Sequence, residues 1–376
     1  MDIAFDVSSY IKSIKTGISY YSSELIKSLL KIDKSNYYKL FAFLWNDYGN
    51  AFDSLQNPTS NSRIIQKRFP QFFLRFLWSR MKIPLEFFVG KYDVYHATEH
   101  IIPYTEKGKL VCTVHDIISY FHPEWYPEFM NKKTKHYLNA LRRCNLLIAI
   151  SENTKKDLIR FSDLPSEKIE VIYPGCSSEF YYKSKMDVIN QIKEKYGLDK
   201  DYILFIGTIE PRKNLSLLID AYIKLRRRRR IPQFVIIGML GWKYDDVLKK
   251  IKEHSDYITY LGYLPHFDKV NLLKGAFLFV YPSLYEGFGL PVLEAMASET
   301  PVVTSNVTSI PEITGISAIL IDPTNIASIE DGLERGIFND SLRKQIIRVA
   351  KKRAEQFTWE KTAQQTLRCY EKSLSF

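Results

Sequence analysis

Two doubly wound α/β domains are what this sequence predicts, and three observations carry the prediction. The chain has 376 residues, most simply two domains at roughly 100–200 residues each. Short β-rich apolar runs alternate with amphipathic helical patterns along its whole length. The alternation occurs twice, on either side of a polar, lysine-rich stretch, which is the signature of two parallel-sheet domains.

In the first half the expected strands are 3–7, 39–45, 92–96, 110–114, 146–150 and 169–173. In the second half they are 202–206, 234–237, 257–261, 277–281, 302–304 and 318–321. Runs such as YILFIG and FLFVYP are apolar on both faces, as parallel strands covered by helices on each side must be. A helix is expected over 18–30. Another places Leu215, Leu218, Ile219, Tyr222 and Leu225 on one face, with Asn214 at the N-cap position. Segment 177–201 lacks a clean strand and reads as a connector plus a short helix. The domain boundary is therefore drawn at 1–178 and 179–376. The last helix, 359–372, suits either domain on periodicity, and packing back on the first is one arrangement open to it.

Composition narrows the class further. Hydrophobic residues at 45% and charged residues at 25% are ordinary for a globular protein, which excludes collagen-like, disordered and disulfide-scaffold chains. A balance of 53 basic and 42 acidic residues gives +11, favouring anionic partners without choosing among them. Cys112, Cys144, Cys176 and Cys369 form no C-x-x-C pair, and MDIAFDVSSY lacks signal-peptide architecture, so a cytosolic chain with reduced thiols is expected. No run approaches a membrane span; the nearest, 69–89, is broken by Arg75, Arg80, Lys82 and Pro84. The same region mixes aromatics with cations, as does an interfacial helix or a lipid-facing groove, although burial as an ordinary domain helix fits it better. Arg226–Arg230 oppose a helix dipole at its C-terminal end, and contact with an anionic membrane is the alternative.

The stretch FLFVYPSLYEGFGLPVLEAMASETPVVTS, 277–305, carries the most chemistry. A buried strand ends at Tyr281–Pro282, a loop brings Glu286, Gly287 and Gly289, and a helix opens with Pro291 near its first position. Glycines allow the backbone of Phe288 and Leu290 to approach a ligand, and the unpaired N–H groups of the new helix favour an anion. Glu286 and Glu294, eight positions apart across the bend, are placed to flank such a ligand and accept sugar hydroxyls; a helix-start acid and a solvated loop acid is the plain alternative. A second candidate is GTIEPRKN, 207–214, where Gly207 and Thr208 follow a strand and Arg212 and Lys213 stand where a diphosphate needs neutralising. In the first half, Thr16 and Gly17 precede a helix, and His115 directly follows a strand, placed to meet a sugar hydroxyl or carry a proton. His96, after another strand, has weaker credentials. There is no D-x-D, H-E-x-x-H or clustered Cys/His, so no metal is expected. P-loop and serine-hydrolase motifs are absent, and no nucleic-acid module accompanies the charge.

In order and spacing, KTGISYY, VYHAT, TVHDI, LLIAISENTKKDLI, VIYPG, GTIEPRKN, YPSLYEGFGLPVLEAMASETPVVTSNVTSIPEITG, IDPTN and FTWEKTAQQTL resemble the retaining glycosyltransferases of family 4 over nearly the whole chain. The resemblance implies the GT-B fold, two facing Rossmann-like domains, the first for the acceptor and the second for a nucleotide sugar. It implies that Glu294 holds the ribose and Glu286 the hexose. Arg212 and Lys213 would neutralise the diphosphate, assisted by amides near Gly17 and from Phe288 onward. His115 would lie beside the transferred sugar. Relatives often carry an arginine where this chain has Thr208, so the individual roles of Arg212 and Lys213 stay open. The expected activity is metal-independent, retaining transfer of a hexose to a glycan or lipid-linked oligosaccharide in surface polysaccharide or glycoconjugate synthesis. GDP-mannose is the first donor and a UDP-hexose the second. The expected place is the cytoplasm, with a peripheral position on the inner membrane face compatible with it. A nucleotide-sugar 2-epimerase of the same fold, or a non-catalytic nucleotide-sugar-binding partner, are the alternatives.

Overall fold

A computed structural model describes residues 1–8, 17–44, 61–68 and 77–376, with the side chains of 44, 68, 79, 80 and 131–133 left out. The chain forms two compact units. Met1–Tyr120, Phe129–Gly175 and Thr358–Phe376 make the first, and Phe121–Glu128 with Cys176–Phe357 the second. The division falls between Gly175 and Cys176 rather than between 178 and 179, and the short segment Phe121–Glu128 belongs with the second unit.

The first unit contains a seven-stranded sheet of order β3-β2-β1-β4-β5-β6-β7. Its strands are β1 (Asp2–Asp6), β2 (Tyr37–Leu44), β3 (Ser62–Arg68), β4 (Val94–Ala97), β5 (Lys109–Val114), β6 (Leu146–Ala149) and β7 (Ile169–Val171). Every pairing is parallel. Strand β3 was not expected: SRIIQKR is mostly polar and sits at the sheet edge, paired with β2 alone, where no both-faced apolar pattern is required. Position 45 of the expected second strand lies outside the described residues.

The second unit carries a six-stranded parallel sheet of order β10-β9-β8-β11-β12-β13. It comprises β8 (Tyr202–Ile206), β9 (Gln233–Ile237), β10 (Ile258–Tyr260), β11 (Leu278–Tyr281), β12 (Val302–Ser305) and β13 (Ile319–Ile321). All five residues of β8 and all four of β11 are buried, so their apolar character on both faces is used. The chain runs outward from β8 to β10, then returns to β11 on the other side. Between β8 and β11 lies the topological switch point, where open α/β sheets bind their ligands.

Helix Trp359–Ser373 closes the first unit. Thr358 caps it by accepting from the Lys361 N–H, and Thr362 Oγ1 donates to Tyr173 O at 2.7 Å. Trp359 meets Tyr21 edge-on at 5.5 Å on helix Gly17–Ile32. Near its end, the Tyr370 hydroxyl is 2.7 Å from His96 Nδ1. No interfacial helix runs through 77–89: a turn at Leu77–Met81 and another at Glu86–Val89 flank Pro84, burying Trp78, Leu85 and Val89 and exposing Met81 and Phe87. Residues 69–76 lie outside the described residues. Among the described residues, no helix is long and apolar enough to cross a membrane. The four cysteines are free and buried.

Candidate functional site

Both second-unit candidates leave carboxyl ends of strands that flank the switch point: Arg212 and Lys213 follow β8, and Glu286 follows β11. The loop after β8 is pinned from both sides. Gly238, just past β9, lies so close that a Cβ on it would stand 1.9 Å from Gly207 O, and its φ of +151° is itself unfavourable to other residues. Ile209 N–H donates to Met239 O at 2.8 Å and Gly241 N–H to Ile209 O at 3.0 Å. A 3₁₀ turn, Pro211–Lys213, then presents the two cations.

Asn214 does occupy the N-cap position of helix Leu215–Arg228, but its side chain does not cap. It adopts φ of +58° and donates to Pro323 O at 2.6 Å and Pro282 O at 3.2 Å, which ties the cation loop to the loop after β11. Leu284 N–H reinforces this tie by donating to Arg212 O at 2.8 Å.

The cations turn inward onto carboxylates. Lys213 Nζ donates to Glu286 Oε1 at 2.6 Å and to the Tyr281 hydroxyl at 2.5 Å. Arg212 Nη1 donates to Glu286 Oε2 and to Tyr285 O, both at 2.9 Å. Its Nε and Nη2 both reach Glu210 Oε1, at 3.0 and 2.7 Å. Ser283 Oγ adds a 2.6 Å bond to Glu286 Oε1. Burial alone would push the Glu286 carboxyl up, but Arg212 and Lys213 together hold it down to about 2. Glu286 is thus an anion with three donors already on a group that accepts about four.

Gly289 stands at φ of +110° before helix Leu290–Ala297, and a Cβ there would press on Ile310 Cδ1 at 2.7 Å. Ser309 Oγ lies 2.8 Å from both Glu286 O and Phe288 O, and its one hydrogen is shared between these carbonyls of the loop. In the first turn of that helix Pro291 has no N–H and those of Val292 and Leu293 donate to Gly289 O at 3.0 and 3.2 Å, so its start favours an anion chiefly through the helix dipole. Glu294 is the fifth residue of the helix rather than part of its first turn; it is buried, with Lys269 Nζ at 3.4 Å from Oε2. Gly207 and Thr208 line the start of the cation loop and are half-buried.

In the first unit, His115 follows β5. Its Nε2 lies 2.9 Å from Thr98 O, and because a carbonyl only accepts, Nε2 carries the proton and Nδ1 presents a lone pair. Burial pushes its pKa down to about 4. The neutral ring, edge-on to Tyr21 at 4.9 Å, is able to accept a hydroxyl hydrogen and is not a proton reservoir at neutral pH. His96 is fully buried between the Tyr370 hydroxyl and Thr113 Oγ1, a packing role. Gly17 opens helix Gly17–Ile32, is exposed, and would meet nothing within 4 Å if it bore a Cβ. Thr16 lies outside the described residues. Glu210, Tyr281, Ser283 and Lys269 escaped sequence reasoning. Glu210 stood inside the quoted GTIEPRKN motif, but pairing is a tertiary fact that the motif does not state. Among the described residues, no His/Cys/Asp/Glu group is clustered to hold a metal ion.

Parallel Rossmann-like units with cations and buried carboxylates at a switch point are the architecture of GT-B glycosyltransferases. Comparison with known proteins agrees. Residues 188–353 match the family described as glycosyl transferases group 1, and residues 46–180 match glycosyltransferase family 4. The chain is 33% identical to O-antigen chain mannosyltransferase B of Escherichia coli, over 96% of this chain and 97% of that one. It is 27% identical to O-antigen chain mannosyltransferase RfbU of Salmonella typhimurium, over 85% of this chain and 86% of that one. The fold matches the crystal structure of Anabaena HepE in complex with UDP and glucose, with TM-score 0.76, 19% identity, and coverage of 99% of this chain and 100% of that one. The chain belongs to the glycosyl transferases group 1 family and is a glycosyltransferase of the GT-B fold.

Proposed function

We propose that this enzyme transfers mannose from GDP-mannose, with retention of anomeric configuration and without a metal, to a glycan or lipid-linked oligosaccharide in surface polysaccharide synthesis. The observation that carries the reading is the set of buried Lys213 and Glu286 with half-buried Arg212 at the second unit's switch point. The O-antigen mannosyltransferase relatives support the choice of sugar and pathway class. A UDP-hexose is the second donor.

In this reading Arg212, Lys213 and the dipole of the helix after Gly289 bind the diphosphate and stabilise charge on it as the sugar departs. Glu294 accepts the ribose hydroxyls. Glu286 fixes the two cations and has acceptor capacity left for one hexose hydroxyl. His115, neutral, accepts a hydroxyl of the transferred sugar through Nδ1. With no carboxylate free for double displacement in this set, the departing phosphate takes the acceptor's proton in a front-face attack.

Binding in EDTA tests the donor. Thermal shifts with GDP-, UDP-, dTDP- and ADP-sugars should single out one nucleotide, worth about 2.7 kcal/mol at 100 times its dissociation constant. Glu294→Ala should abolish that shift. Incubation with the donor alone should leave its sugar unchanged; a changed epimer would mark an epimerase, and tight binding with no transfer to any glycan acceptor would mark a binding partner.

A further inference from the structure

Inside the second unit, two cations face two carboxylates, so the diphosphate subsite is charge-balanced before any nucleotide arrives. The two carboxylates are not held alike. Glu286 is locked: Lys213, Arg212 and Ser283 donate to its oxygens, and its own N–H donates to Thr308 Oγ1 at 3.2 Å. Among the described residues the Glu210 side chain accepts from Arg212 alone, through one oxygen. Glu210 also lies in extended backbone just before the 3₁₀ turn, outside the helix that follows. Arg212 does not need it for alignment, because Glu286 and Tyr285 O already hold Nη1. What Glu210 occupies is the Nε and Nη2 edge, the planar face through which a guanidinium takes a phosphate.

We propose that Glu210 is the internal counter-ion of the diphosphate subsite, holding the Nε and Nη2 edge of Arg212 until a nucleoside diphosphate displaces it. The inference rests on the donor-binding reading above. Its consequence is an exchange of one anion for another: the incoming diphosphate replaces Glu210 on Arg212, and Glu210 reclaims the guanidinium as the product leaves. Glu210 therefore weakens product binding and speeds release.

Isothermal titration in EDTA with GDP and UDP, and with guanosine and uridine as phosphate-free probes, tests this on the full chain. For the diphosphate that wild type prefers, Glu210→Gln should bind at least about tenfold tighter, the low end of what a close charge pair contributes. Nucleoside affinity should stay within about twofold, which shows that the pocket is intact and that the gain resides in the phosphates. Glu210→Ala should move the same way, while Glu210→Asp, which keeps the charge, should stay near wild type. Glu334→Gln removes the same charge at a half-exposed pair with Arg229 and should change nothing measurable. In turnover, kcat and KM should fall together in Glu210→Gln. Unchanged or weaker diphosphate binding with nucleoside affinity retained overturns the counter-ion role and leaves donor binding standing. Failure of wild type to bind GDP or UDP overturns both.

Discussion

Lowering the pH from 7 to 5 should destabilise the first unit through His96. Its ring is wholly buried, with the Tyr370 hydroxyl at 2.7 Å on Nδ1, Thr113 Oγ1 at 2.8 Å on Nε2, and Phe5 edge-on at 5.3 Å. Burial first, then the nearby His115, push its pKa down to about 3. A histidine near 6.5 in the unfolded chain therefore binds a proton at pH 5 that the folded one refuses, and stability falls as pH falls below 6.5. Each pH unit in that window is worth about 1.4 kcal/mol, so one and a half units at pH 5 amount to about 2 kcal/mol. The assay is equilibrium urea unfolding at pH 7 and pH 5, for wild type and His96→Gln. His115 titrates in both proteins and cancels in the difference. His96→Gln should be less stable at pH 7, and the gap should narrow by about 2 kcal/mol at pH 5. Parallel pH dependence of the two proteins would refute the reasoning, because it would mean that His96 takes its proton as readily folded as unfolded.

Further outcomes follow from the second unit. Lys213→Met should lower kcat by about 10²–10³, since it removes one preorganised cation from the departing diphosphate, measured as steady-state transfer. Ser283→Ala should cost about 1.5–3 kcal/mol in urea unfolding, because its hydroxyl donates to the ionised Glu286 and its loss leaves that oxygen underserved. Gly238→Ala forces a Cβ to within 1.9 Å of Gly207 O at φ of +151°, so it should destabilise by more than about 3 kcal/mol and lower soluble expression.

The parallel strands were legible because each buried one is apolar on both faces, as in YILFI at β8 and LFVY at β11. Strand β3 was not, because an edge strand needs neither face apolar. The site was legible as residue types at strand ends: Arg212, Lys213, Glu286 and Glu294 all lie in loops or helices that leave those ends. Their pairing was not legible. Asn214 looked like a cap from its place before an apolar helix, yet its amide bonds two proline carbonyls that are remote in sequence. Arg226–Arg230 read first as a solvated helix end, with a membrane patch as the alternative. In the folded unit Arg228 joins Lys224 on buried Glu330 and Arg229 meets Glu334, so two of the five arginines are answered by carboxylates within the unit.

Glu330 and Glu286 show why burial of charge by itself does not identify a site. Both carboxylates are buried, and both bind two cations. The partners of Glu330 are more than half exposed, so solvent shares in compensating them and the arrangement joins two helices. Around Glu286 the cations are far more covered, Lys213 buried and Arg212 nearly so, with side-chain exposures of 9% and 15%. Desolvating four charges together is expensive, and an apolar core of the same volume would serve stability at least as well. The quartet makes physical sense where a further anion is to be received: its cations are already oriented, and one carboxylate, Glu210, is held by a single partner and is exchangeable.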